Sequence, residues 1–261
     1  ISTLMNLNYQ ISGQGQPLVL LHGLFGSLEN LGGIRRELED QYQIIAVDLP
    51  DHGRSAHSQT FSYQAYSDQI LVLCKQLGLE QIIVLGHSMG GKVAMTIALH
   101  HPALVSRLVV ADIAPVAYND RHSQVFAGLN AVNLPNLTDR RQADAQMATY
   151  INEAGVRQFL LKSLAYEQDT WQWRFNLSLL QQCYGDIIDW PFKGLSYNGP
   201  TLFIKGGRSD YLQAAYRDTI AAQFPSSQGR IIADVGHWLH AEKPAAFGKI
   251  VRDFIRTDET H

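Results

Sequence analysis

Short apolar runs alternate with longer amphipathic segments through most of this chain. Pro17–Leu21 (PLVLL), Ile44–Asp48 (IIAVD), Ile82–Gly86 (IIVLG), Leu108–Asp112 (LVVAD), Thr201–Lys205 (TLFIK) and Arg230–Ala233 (RIIA) read as strands. Several are apolar at consecutive positions, which fits parallel strands covered by helices on both faces. The segment LNYQI after Met5 reads as a further strand. Helical spacing is predicted near Asn30–Asp40, Tyr63–Leu77, Met89–His101, Leu212–Phe224 and Pro244–Arg256, where Pro244 suits a first-turn position. The alternation predicts an α/β fold with a mostly parallel, doubly wound sheet.

That rhythm breaks between about Pro115 and Asn198, where no buried strand is evident. Helical patterns over Gln142–Ile151 and Val156–Leu164 flank Gly155, and the aromatic cluster WQWRFN follows at Trp171–Asn176. The expected organisation is a core of residues 5–114 and 199–257 with a helical cap at 115–198. Met147, Phe159, Leu160, Trp171 and Trp173 would serve the cap either as an apolar passage or as packing. Arg174 and Lys162 read as surface charges, or else as groups facing a charged leaving group.

Composition narrows the functional classes. The 261 residues are 46% hydrophobic and 17% charged, with net charge −3, as in a globular domain. The charged residues form no basic block, which argues against a nucleic-acid partner, and no apolar run reaches the roughly 18 residues of a membrane span. Ile1–Leu4 precede Met5, which is expected to be the natural start, with residues 1–4 left over from cloning. No basic segment followed by a long apolar one opens the chain, so a cytoplasmic location is expected. Cys74 and Cys183 lack metal-ligand spacing, and Cys74 sits in an apolar helical pattern suited to a buried thiol. No metal is expected, and the chain is expected to be a monomer or homodimer.

The chemistry concentrates at GHSMG, Gly86–Gly90, between an apolar strand and an amphipathic helix. A strand that turns at once into a helix strains the serine backbone, and the flanking glycines keep the space clear of Cβ atoms. Ser88 is thereby presented at the positive end of a helix. A serine hydroxyl needs a base, and His237 in ADVGHWLHAEKP follows a strand and precedes a helix. His240 is the local rival, read as a solvated group near the helix start. His22, His52 and His87 also lie near strand ends, and His22 and His87 read as polar lining of a pocket.

Charge building on a carbonyl oxygen needs preorganised N–H donors. Met89, just after the serine, supplies one, and Leu24 in HGLFGS is the choice for the other. Phe25 is a candidate wall of the acyl pocket, and Trp238 a candidate pocket residue. The histidine needs an orienting carboxylate. Asp112, at the end of LVVAD, is preferred, since a carboxylate buried there requires a strong partner such as an imidazolium. Asp210 in GGRSDY is the alternative, with Ser209 as a helper.

These motifs resemble the α/β-hydrolase family along nearly the whole chain: HG near the start, DLPDHGRS at Asp48–Ser55, GHSMGG and the late GHW. HGLFGS, GHSMGGK, ADIAP and GHWLHAEKP together are similar to a group of small cytosolic bacterial esterases with acyl-thioester activity, related to a mitochondrial hydrolase of animals. The resemblance implies hydrolysis of carboxylic esters or thioesters without a cofactor, with Ser88 and His237 carrying the chemistry on a small-molecule substrate. It also implies Asp112 as the acid with Ser209 beside it. Asp210 departs from that group's pattern, which leaves the acid open between Asp112 and Asp210. Perhydrolase or haloperoxidase chemistry, carbon–carbon hydrolysis, and a non-catalytic ligand-binding module are the alternatives.

Overall fold

The computed structural model describes residues 6–256; the expected start at Met5 and the leftover segment 1–4 lie outside the described residues. Seven strands form one sheet: β1 (Tyr9–Ser12), β2 (Gln16–Leu21), β3 (Tyr42–Val47), β4 (Ile82–His87), β5 (Val105–Ala111), β8 (Thr201–Gly206) and β9 (Ser227–Ile232). Their order is β1-β3-β2-β4-β5-β8-β9, and all pairs are parallel except β1 with β3.

Period-two alternation along the strands separates two cores. Val19, Leu21, Val84 and Val110 face α2 (Tyr63–Gln76) and α3 (Met89–His100). Leu18, Leu20, Ile83 and Val109 face α1 (Gly32–Leu38), α10 (Leu239–Glu242) and α11 (Pro244–Ile255). Pro244 stands in the first turn of α11. Two expected helices begin late. A 3-10 turn, Leu28–Leu31, precedes α1, and another, Ala214–Tyr216, precedes α9 (Arg217–Gln223). Among the described residues no helix is long and apolar enough to cross a membrane.

Between β5 and β8 the chain forms α4 (Ser123–Ala131), α5 (Arg140–Ala148), α6 (Ala154–Leu161), β6 (Leu164–Glu167), β7 (Thr170–Trp173), α7 (Leu177–Gln182) and α8 (Tyr184–Ile188). The hairpin β6–β7 corrects the all-helical expectation for this stretch. Its turn is Gln168–Asp169, both at positive φ (52° and 62°), the geometry of a tight hairpin turn. Such turns usually announce themselves with Asn-Gly or Asp-Gly, and this one carries neither.

Asp51 ties the insertion to the sheet. It is fully buried and left-handed (φ 69°), and its carboxylate accepts from Ser58 N–H (2.6 Å), Ser58 Oγ (2.7 Å), Tyr66 OH (2.7 Å) and Asn176 Nδ2 (3.0 Å). The Asp51 carbonyl also accepts from the Asn176 N–H at 2.8 Å. Removing the carboxylate leaves the buried Tyr66 hydroxyl unpaired, at about 1–3 kcal/mol, and takes an acceptor from the part-buried Ser58 and Asn176 donors. Asp51→Ala is therefore expected to lower unfolding free energy by about 3 kcal/mol or more, read from urea denaturation. A loss under about 0.5 kcal/mol would show that water replaces the carboxylate.

Candidate active site

The side chains of interest sit on loops at the C-terminal edge of the sheet, where sites of open α/β folds gather. Main-chain hydrogen bonds extend the ladder past the strand ends. Ser88 N–H donates to the Ala111 carbonyl (3.0 Å), and Asp112 N–H donates to Ile204 (2.8 Å). Sheet register thus places the two residues beside each other.

Ser88 adopts φ 56°, ψ −122° between β4 and α3. The glycines around it are required by contact. A Cβ on Gly86 would lie 2.0 Å from the Gly90 carbonyl oxygen, and one on Gly90 would lie 2.2 Å from that of His22. The loop after β2 runs directly against the serine, since a Cβ on Gly23 would sit 3.2 Å from Ser88 Cβ.

Ser88 Oγ lies 2.8 Å from His237 Nε2, and His237 Nδ1 lies 2.6 Å from Asp112 Oδ2. A carboxylate only accepts, so Nδ1 carries the hydrogen and Nε2 is free to accept from Ser88. Asp112 is fully buried at φ 54°. It also accepts from Gly206 N–H at 3.0 Å and from Ser209 Oγ at 2.5 Å. Asp210 points away: it is exposed and pairs with Arg121 at 2.6 Å. That guanidinium holds the Asp210 carboxyl below its usual range.

Leu24 and Met89 both border Ser88 in a small side cavity of about 40 Å³. Among the described residues, neither of their N–H groups finds an acceptor. A larger cavity of about 690 Å³ opens over Ser88, with Phe25, His22, His87 and Trp238 in its wall. Phe25 is also core, with its ring 5.5 Å from Phe126 and 4.9 Å from Phe175. From the insertion, Phe159 and Leu160 line this cavity, whereas Met147 packs in the core and Trp173 stacks on Phe175. Trp171 lies against Tyr166 and Arg140 instead. Arg174 pairs with Glu167 and Lys162 is exposed, so neither faces the cavity.

Sequence reasoning missed Tyr211. Its ring stacks on that of His237 (4.0 Å, 19°), and its carbonyl accepts from Tyr118 OH at 2.7 Å. The signal was its place two residues after Ser209, whose Oγ accepts the Tyr211 N–H. Arg121 and His122 also line the cavity and were not anticipated. His240, expected to be solvated, is 4% exposed, because α10 turns inward and packs its ring 4.2 Å from that of His87. Lys92 is buried as well, donating to the carbonyls of Ile188 (3.1 Å) and Asp189 (3.0 Å). Burial pushes its ammonium down to about 7. Cys74 and Cys183 are free thiols; Cys74 is buried, which pushes it up to about 11.

Burial keeps several histidines neutral. It is the main cause lowering His52 to about 3, His240 to about 3 and His122 to about 4. His22 is lowered too, with Nδ1–H donating to Gly23 (2.7 Å) and Nε2 accepting from Leu49 N–H (2.9 Å). His87 is lowered by burial while its Nε2 donates to the His237 carbonyl at 2.7 Å. An unfolded histidine takes up a proton near its usual value of about 6.5, so below that pH the unfolded chain binds protons that the folded chain refuses. The stabilisation is complete above about pH 6.5 and is lost as pH falls towards about 4. Each group removes about 1.4 kcal/mol between pH 7.5 and 5.5, so His52, His122 and His240 together remove about 4 kcal/mol. Urea denaturation at the two pH values is expected to show that loss. An unchanged midpoint would mean that these rings titrate in the folded state.

Comparison with known proteins places this geometry. The family model for the alpha/beta hydrolase fold matches residues 16–244. The chain is 41% identical to Esterase YbfF of Escherichia coli (strain K12), covering 92% of each chain. It is 39% identical to the sn-1-specific diacylglycerol lipase ABHD11 of Mus musculus, over 91% of this chain and 80% of that protein. A solved marine microorganism esterase superposes with a TM-score of 0.93 at 33% identity, covering 96% of this chain and all of that one. With a family model spanning most of its length and relatives this similar, the chain belongs to the α/β-hydrolase fold family.

Proposed function

We propose that the protein is a carboxylic ester hydrolase that works through an acyl-enzyme on Ser88. Family membership and the esterases among its relatives support the reaction class. The observation that carries the mechanism is the hydrogen-bonded series from Ser88 Oγ through His237 to Asp112, at 2.8 and 2.6 Å.

His237 Nε2 takes the Ser88 proton as Oγ attacks the acyl carbonyl. Negative charge then builds on the carbonyl oxygen beside the unpaired N–H groups of Leu24 and Met89, which serve as the oxyanion hole. His237, now an imidazolium, stands against buried Asp112, and Ser209 and Gly206 hold that carboxylate in place. The imidazolium protonates the leaving alkoxide, and the resulting imidazole activates water to release the acid. The same attack cleaves a thioester, where the leaving group is a thiolate. Tyr211, stacked on His237, acts as a positioning residue for the ring.

Ser88→Ala is expected to lower kcat on p-nitrophenyl esters on the order of 10⁶-fold without loss of fold. Asp112→Asn is expected to cost on the order of 10³- to 10⁴-fold, because the amide favours the wrong imidazole tautomer. Asp210→Asn, altering only a surface pair, is expected to change kcat less than about threefold. Wild-type rates in Ser88→Ala would sink the mechanism, and a large loss confined to Asp210→Asn would reassign the acid. Running p-nitrophenyl esters beside acyl-coenzyme A thioesters of varied length identifies the leaving group.

A further inference from the structure

The two cavities that border Ser88 share part of their lining. Leu24, Ser88, Arg121, His122 and Tyr211 line both, so the cavities join at these residues. His237, the proton donor to the leaving group, lines the larger cavity and not the smaller, and Met89 lines the smaller and not the larger. A carbonyl carbon attacked by Ser88 therefore sits at the junction. Two side chains carry N–H groups there, Arg121 and His122. The Arg121 guanidinium is drawn aside: it donates to Asp210 at 2.6 Å and lies 4.3 Å from the centre of the Tyr211 ring.

His122 is held in one tautomer. The Arg121 main-chain N–H donates to the Tyr184 hydroxyl oxygen (3.2 Å), and that oxygen lies 2.6 Å from His122 Nδ1. The Tyr184 O–H has no other acceptor among the described residues, so it donates to Nδ1. The hydrogen of the neutral imidazole is then on Nε2, and Nε2–H has no protein acceptor among the described residues. The rings of Phe25 (6.4 Å) and Tyr184 (5.4 Å) pack edge-on against the imidazole and fix its plane. Burial, with His237 nearby, keeps the ring uncharged. A fixed neutral donor needs no reorganisation when charge develops on a substrate oxygen. Unlike an imidazolium, it also leaves the positive charge that forms on His237 unopposed.

We propose that His122 is a further catalytic residue, whose Nε2–H donates to the oxyanion beside the main-chain N–H groups of Leu24 and Met89. As Ser88 Oγ bonds to the carbonyl carbon, the serine proton passes to His237 Nε2 and the carbonyl π pair moves onto oxygen, where His122 meets it. This rests on the ester-hydrolase reading above and adds a residue to that site. His122 comes from the insertion, so seating of the insertion on the core completes the oxyanion hole.

His122→Phe tests this, since it keeps a ring against Phe25 and removes both nitrogens. On p-nitrophenyl butyrate, kcat is expected to fall on the order of 100-fold with KM changed less than about threefold, as when one oxyanion donor is lost. A trifluoromethyl ketone, whose adduct with Ser88 carries the same oxyanion, is expected to bind more weakly by a similar factor. His122→Gln, which keeps an N–H at comparable reach, is expected to recover about tenfold of the lost kcat. A kcat within about threefold of wild type in folded His122→Phe overturns the proposal. So does a lower kcat with undiminished inhibitor affinity, which would mean that the ring only shapes the cavity. If His122→Phe does not fold, wild type decides. With isotope-labelled histidine, the His122 Nε2–H proton resonance is expected to move downfield when the ketone adduct forms, and an unmoved resonance overturns the proposal. Full activity in folded His122→Phe leaves the hydrolase reading intact, whereas cleavage of no ester by wild type removes both.

Discussion

The site depends on the parallel pairing of β4, β5 and β8 at their C-terminal ends. Two main-chain hydrogen bonds, Ser88 to Ala111 and Asp112 to Ile204, carry the ladder one step beyond regular strand geometry. At that step both residues turn into left-handed backbone, with φ 56° and 54°. Such conformations cost on the order of 1–3 kcal/mol each and persist when the surroundings over-determine them. Here the sheet fixes each residue from one side and a helix or loop from the other. The strain lifts a hydroxyl and a carboxylate off the sheet edge, and His237, from the loop after β9, spans the gap between them.

Close approach of backbones does the rest. The chain after β2 presses on the serine turn so tightly that Gly90 has no room for a methyl group. A Cβ on Gly206 would lie 2.1 Å from the Gly236 carbonyl oxygen, so the loop carrying His237 is seated directly on β8. Asp112 is then dry, and three donors surround it. An unpaired charge in that position would be strongly destabilising, which is the physical reason that Gly206, Ser209 and His237 converge there.

Neutral histidines form the floor around this centre. His22 bridges the Gly23 carbonyl and the Leu49 N–H, and His87 holds the His237 main chain. Each can do so because burial keeps it uncharged, with one donor and one acceptor per ring. The cavity therefore has neutral histidines in its base, while the insertion lines it with apolar residues (Val156, Phe159, Leu160) and with polar or charged ones (Arg121, Gln124, Glu153).

The sheet was legible in the chain because its central strands are buried on both faces and so read as unbroken apolar runs. The serine turn was legible for a related reason: Gly86 and Gly90 are forced by contact, so the geometry left its mark in residue type. Other features left no such mark. Gln168–Asp169 makes a tight hairpin turn without glycine, and α10 brings His240 inward although its sequence suits a surface. The sequence thus determined which strands form and which turn presents the hydroxyl, since local sterics and burial impose residue type. Which carboxylate meets His237 was decided in three dimensions. Asp112 and Asp210 both follow strands, but β5 lies next to β4 while the Asp210 carboxylate turns outward to Arg121, and adjacency of strands is a property of the sheet rather than of any local segment.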